Sequence, residues 1–199
     1  MIKAKLFKKL ENGRVKCLLC SHYCKIESGK LGICKVRKNI SGELYSLNSD
    51  KVISMSSDPI EKKPLYHFLP ASISYSIAAM GCNFSCDFCQ NHSISMLEDS
   101  NEIYGKNFSP YDIIKNALHY NAKSIAYTYT EPVIFYELMK ETAKVAKAEG
   151  LKNIMVTNGF LSNEAIDSLL YDIDAINIDI KAFSDNFYRQ FCKGRWNLF

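Results

Sequence analysis

The segment SISYSIAAMGCNFSCDFCQN, residues 72–91, runs a β-prone stretch straight into three cysteines spaced Cys82-x3-Cys86-x2-Cys89. Further β-prone runs follow at SIAYTYT (124–130), NIMVTN (153–158) and AINIDIKAF (175–183), separated by segments of helical periodicity. Alternation of this kind predicts βα units and a parallel sheet or barrel. One intervening helix is expected to be capped by Ser109, with Pro110 at its first position, Asp112 in its first turn, and Ile113, Ile114, Ala117 and Leu118 on one face. A longer helix follows Pro132, with Phe135, Leu138, Met139, Ala143 and Ala146 as its apolar stripe, ending at Glu149 and Gly150.

In the fourth run, Ile176, Ile178 and Ile180 alternate with Asn177, Asp179 and Lys181, so the three polar side chains share one face. If helices cover the outside, the polar face points inward, and an interior that accepts Asp179 and Lys181 reads as a binding site because unpaired buried charge is costly. The rival reading is an edge strand with a solvated face.

Three thiolates are one short of the four that close a structural zinc site or ligate every iron of a cubane cluster. Cys82, Cys86 and Cys89 are therefore expected to leave one metal position open to a small ligand, on a loop at the carboxyl end of the first parallel strand, where barrel folds do their chemistry. The alternative is a closed zinc site completed by His92 or a distant cysteine. A second set, Cys17-x2-Cys20-x3-Cys24-x9-Cys34, has four thiols, enough for zinc or a second cluster, with His22 able to replace one of them. Lone Cys192 reads as an ordinary buried or free thiol.

Composition agrees with metal use. The chain has 199 residues, 47% of them hydrophobic and 12% aromatic, which excludes disorder throughout. No run reaches the roughly 18 apolar residues of a membrane span, and the start, MIKAKLFKKLENG, is too charged for an export signal, so a soluble cytoplasmic protein is expected. There, eight cysteines point to metal or redox chemistry rather than disulfides. Net charge is +4, yet residues 1–38 alone hold eleven Lys or Arg against Glu11 and Glu27. This basic segment suits an anionic metal centre, an acidic partner, nucleic acid, or a plain solvated face. Residues 1–71 are expected to form a cysteine-rich module and a connector of short strands and extended loop, and residues 72–199 the catalytic core.

The C-x3-C-x2-C arrangement, with Phe88 before the third cysteine, resembles the signature of radical S-adenosylmethionine (SAM) enzymes. With DPIEKKPLYHFLP (58–70), TYTEP (128–132), TNGF (157–160), IDIKAF (178–183) and CLLCSHYCKIESGKLGICKVRKN (17–39), the chain is similar to the AmmeMemoRadiSam-system radical enzymes, related to pyruvate formate-lyase-activating enzymes. The resemblance implies a [4Fe-4S] cluster on Cys82, Cys86 and Cys89. It implies SAM as the ligand of the fourth iron, and a 5′-deoxyadenosyl radical that takes hydrogen from a substrate, a protein glycyl site being one candidate. By position it places Phe88 beside the adenine, Thr128, Tyr129, Thr130 and Glu131 at the methionine amino group, and Asn158, Asp179 and Lys181 near the ribose or carboxylate. Val156 stands where activating enzymes often carry Asp. An electron donor of the flavodoxin or ferredoxin class is implied, and no membrane.

From Cys82 to Phe199 there are 118 residues, room for about four βα units where such enzymes use six. The fold expected is thus a partial (β/α) barrel, truncated after RWNLF, with an unpaired fourth strand, reduced stability, edge association or little activity. Rival functions are a non-catalytic metal-binding or nucleic-acid-binding module, and an inactive relic.

Overall fold

A computed structural model describes residues 1–97 and 103–196. The last three residues of RWNLF lie outside it. The head has seven short strands: β1 (Ile2–Lys3), β2 (Phe7–Lys9), β3 (Val15–Cys17), β4 (Lys25–Ile26), β5 (Arg37–Ile40), β6 (Glu43–Ser46) and β7 (Lys51–Val52). They form two three-stranded sheets, β1-β6-β5 and β2-β3-β4, while β7 pairs with β10 (Lys106–Asn107).

The main sheet has the order β13-β12-β11-β9-β8, built from β8 (Ser54–Pro59), β9 (Ile73–Ala78), β11 (Ser124–Tyr127), β12 (Lys152–Thr157) and β13 (Ala175–Ile178). The last four are parallel, in register through pairs such as Ala126 with Ser76 and with Ile154. β8 runs antiparallel to β9. The sheet therefore takes a fifth strand from the segment read as connector. Its SMSSDP sequence is polar and ends in proline, which suits a strand at the sheet's edge.

Between the strands lie α1 (His92–Ser95), α2 (Pro110–His119), α3 (Tyr136–Ala148) and α4 (Asn163–Leu169), and α5 (Asp185–Phe187) follows β13. Helix α2 begins as expected: the Ser109 hydroxyl accepts from the Asp112 N–H, and the Asp112 carboxylate accepts from the Ser109 N–H. Ile113, Ile114 and Ala117 are buried, but Leu118 is 44% exposed and does not belong to the packed face. Helix α3 buries Leu138, Met139, Ala143 and Ala146 against the sheet, and Pro132–Phe135 forms a buried 3-10 turn before it.

One apolar core runs through both parts of the chain, joining Val15, Leu19, Val36 and Leu44 of the head to Ile77, Ile125, Ile134 and Met139. Buried Arg37 donates from both terminal nitrogens to the Glu137 carboxylate at 2.8 Å, linking β5 to α3. Much of the head's positive charge is paired locally. Lys3 and Lys9 meet Glu43, Lys5 meets Glu141, and Lys16 lies over the Tyr23 ring. No described helix is long and apolar enough to cross a membrane.

Candidate active site

The carboxyl ends of β9, β11, β12 and β13 open onto one cleft of about 640 Å3, within the usual range for ligand sites. Its lining includes Cys82, Cys86, Phe88 and Cys89 from the loop after β9, and Thr128, Tyr129, Thr130 and Glu131 after β11. Asn158 follows β12, and Asp179 and Lys181 follow β13. The structure thus brings together every residue that the sequence suggested for this site. Asn177, Asp179 and Lys181 face the cleft, while Ile176, Ile178 and Ile180, each about half exposed, face the other way. β13 is also an edge, paired only with β12 among the described strands. Both readings of AINIDIK are therefore partly met.

Local contacts fix the cysteine loop. Gly81, at φ +100, is folded so tightly that an added Cβ would sit 2.7 Å from the Val36 side chain. The Ser85 and Asp87 N–H groups donate to the carbonyls of Cys192 and Phe191, so the turn at residues 188–192 clamps the loop from outside. Cys192 lies within hydrogen-bonding reach of Cys86, in a cluster with Phe84, Phe160 and Tyr188. That proximity was not visible in the sequence. Burial pushes the Cys82 thiol up to about 12 and the Cys86 thiol higher still, so a metal is needed to hold either as thiolate here.

The polar lining is pre-arranged. Glu131 accepts from the Thr157 hydroxyl at 2.6 Å and the Asn158 N–H at 2.8 Å. Burial nevertheless pushes its carboxyl up to about 7. Asn158 donates to the Asn83 side chain at 2.7 Å, and Asn83 donates to the Phe160 carbonyl, tying the TNGF loop to the cysteine loop. Lys181 pairs with Asp179; burial opposes its charge, but the carboxylate outweighs this and raises it. Phe88 is half exposed and packs on Phe187 with ring centroids 5.8 Å apart. Val156 also lines the cleft, presenting an aliphatic surface there.

Asp58, Lys62, Lys63 and Asn91, which gather around the expected site residue Tyr129, were not assigned to the site from the sequence. Tyr129 has φ +66, a left-handed conformation that costs a non-glycine residue about 1–3 kcal/mol. Its hydroxyl donates to Asp58 at 2.8 Å, its carbonyl accepts from Asn91 at 2.8 Å, and the Lys63 ammonium lies 4.8 Å above its ring. Lys63 is buried and pairs with Asp58 at 3.1 Å, and Lys62 and Lys63 both reach the cleft wall. The repeated lysines of DPIEKKP were the available signal, but their partner Tyr129 lies 66 residues beyond Lys63.

The second cysteine set also converges. Cys17, Cys20, Cys24 and Cys34 line one small cavity together with His22 and Arg37. His22 is already engaged: its Nε2 is 2.8 Å from the Asn83 carbonyl, and its ring packs on Phe160.

Parallel βα units with three thiols on the loop after the carboxyl end of β9 define an α/β protein whose cleft offers sulfur ligands to a small ligand or metal. Comparison with known proteins makes the class specific. Residues 77–198 match the radical SAM superfamily, and the chain belongs to that superfamily, whose members typically bind a [4Fe-4S] cluster and SAM. It is 43% identical to an uncharacterized protein of Methanocaldococcus jannaschii, over 97% of this chain and 57% of that one. It is 29% identical to a putative glycyl-radical enzyme activating enzyme of the same organism, over 61% of this chain and 45% of that one. The chain spans about half the length of these curated relatives.

Proposed function

We propose that this chain forms the cofactor-binding part of an AmmeMemoRadiSam-type radical SAM enzyme, acting in the cytoplasm, with its four parallel βα units as a section of a (β/α) barrel. The observation that carries the reading is the cleft itself. Three thiols that leave a cubane one ligand short share a chamber of about 640 Å3 with acidic, basic and amide groups suited to a zwitterionic nucleotide. Cys82, Cys86 and Cys89 would hold the cluster. A cluster held by them would supply the electron for reductive cleavage of SAM, the chemistry that leads to hydrogen abstraction from a substrate.

The remaining residues bind and orient. Glu131, with Thr128 to Thr130, takes the methionine ammonium, a cation that favours the ionised form of a carboxyl held near 7 by burial. Lys181 offers its ammonium to the methionine carboxylate, and Asp179 and Asn158 offer acceptor and donor groups to the ribose. Phe88 and Val156 give apolar surface for the adenine and keep water away. The substrate class we favour is a protein glycyl site, and the electron donor a flavodoxin or ferredoxin.

Anaerobic reconstitution tests this reading. The wild type should bind iron and sulfide at the triplet, bind SAM with a change in the cluster spectrum, and form 5′-deoxyadenosine under strong reductant. Cys86→Ala should lose all three. A wild-type protein in which zinc is held by Cys82, Cys86, Cys89 and the neighbouring Cys192, with no response to SAM, would reject the proposal.

A further inference from the structure

Building on the cofactor reading of the cleft, we infer that Asp58 and Lys63 of the DPIEKKP segment are positioning residues for SAM. They hold Tyr129 in a strained turn, and through it set how residues 128–131 meet the ligand.

The loop after β11 reverses within three residues. The Thr130 N–H donates to the Thr128 carbonyl at 2.9 Å, closing a turn around Tyr129 at φ +66. A γ-turn with a positive central φ is rare and strained, and such an outlier persists only where its surroundings enforce it. The residues on either side are fixed to β9 and the segment just after it. The Thr128 N–H donates to the Ile77 carbonyl at 3.1 Å, and the Thr130 hydroxyl to the Ala79 carbonyl at 2.7 Å.

The contacts that grip Tyr129 itself come from elsewhere. Asp58, near the end of the antiparallel strand β8, is 6% exposed and accepts from the Tyr129 hydroxyl at 2.8 Å. Lys62 and Lys63 donate to the same carboxylate at 3.0 and 3.1 Å. Lys63 follows the 3-10 turn Ile60–Lys62, is 2% exposed, and sets its ammonium 4.8 Å above the Tyr129 ring, an attraction that strengthens away from water. From the opposite side of the chain order, Asn91, two residues past Cys89, donates to the Tyr129 carbonyl at 2.8 Å. Side chain and backbone of Tyr129 are thus held by two different segments, one of them continuous with the cysteine loop.

Stability alone accounts poorly for this pair. Apolar residues of similar volume often replace a buried ion pair without loss, so the pair's value lies in the geometry it imposes. Lys63 and Tyr129 both line the cleft, together with Thr128, Thr130 and Glu131. Freed from Asp58, Tyr129 would relax out of the strained turn and shift the groups that face the ligand, while Cys82, Cys86 and Cys89 stay in place. Small displacements of this kind are costly where several groups must meet one ligand at once.

The test measures SAM affinity on the whole chain reconstituted anaerobically, and amide hydrogen exchange on the same chain without cofactor. Tyr129→Phe, which removes only the hydroxyl, and Asp58→Asn should each weaken SAM binding about tenfold. Iron content and the SAM-free cluster spectrum should match the wild type. Exchange at residues 128–131 should quicken while α3 keeps its wild-type rates, since a general loss of stability would quicken both. Because both changes remove the same contact, Tyr129→Phe/Asp58→Asn should bind SAM no worse than either alone. SAM affinity within about twofold of wild type in Tyr129→Phe, or unchanged exchange at 128–131, overturns the inference. So does a double variant about a hundredfold weaker, because the two residues would then act separately. Should Asp58→Asn not accumulate, Tyr129→Phe decides by affinity and exchange together. A wild type that binds iron but never SAM rejects the cofactor reading instead, and the exchange rates still decide whether the pair holds the turn.

Discussion

Glu131 shows how one buried carboxyl can give the fold a pH response. Its ordinary value is near 4.5, and burial raises it to about 7 despite hydrogen bonds from Thr157, Asn158 and Val133. Below about pH 4.5 both folded and unfolded chains carry the proton, and the group has no effect. As pH rises from there, the unfolded chain releases its proton first, so folding stability falls until about pH 7 and then levels off. The shift corresponds to about 3 kcal/mol. Glu131→Gln should remove this part of the pH dependence; urea denaturation of both proteins from pH 4.5 to 7.5 measures it, and parallel curves would contradict the assignment. The sequence identified Glu131 as a site residue through TYTEP. Its burial and its bond to Thr157, 26 residues on, could not be read there, because they depend on β11 and β12 lying side by side.

At the scale of elements, local rules were legible and long-range pairing was not. The start of α2 was readable because Ser109, Pro110 and Asp112 act within one turn. Ser109→Ala should cost about 1 kcal/mol in chemical denaturation and leave SAM affinity unchanged, since the cap is remote from the cleft. Leu118 was misplaced because apolar spacing alone continues one residue past the face that α2 buries. Short strands were expected in the connector, but not that β8 would join the main sheet, because an edge strand needs no apolar alternation and its pairing with β9 is not written locally. The AINIDIK strand was informative for the opposite reason: a period of two with charges on one side leaves few ways to bury it.

Across the whole molecule, head and sheet behave as one body. Besides the shared core, the Ser21 hydroxyl donates to the Leu161 carbonyl and Ser162 donates to the Leu18 carbonyl, stapling the Cys17–Cys24 turn to the loop after β12. Nothing local in the sequence announces contacts 140 and 144 residues apart. The Arg37–Glu137 pair is a buried, doubly hydrogen-bonded link between the two parts. Arg37→Met should cost about 3–5 kcal/mol by leaving Glu137 charged and unpaired. Adding Glu137→Gln should recover part of that loss, whereas additive losses in a double-mutant cycle would show that the two do not act as a pair.

Gly81 carries a consequence for how this scaffold could vary. It sits where the backbone of the amino-terminal thiol module meets the first strand's loop, and even a methyl group there would collide with Val36. The close approach of the two cysteine-bearing segments thus depends on a missing side chain, and a lineage that gained one at this position would have to displace Val36 or the loop itself.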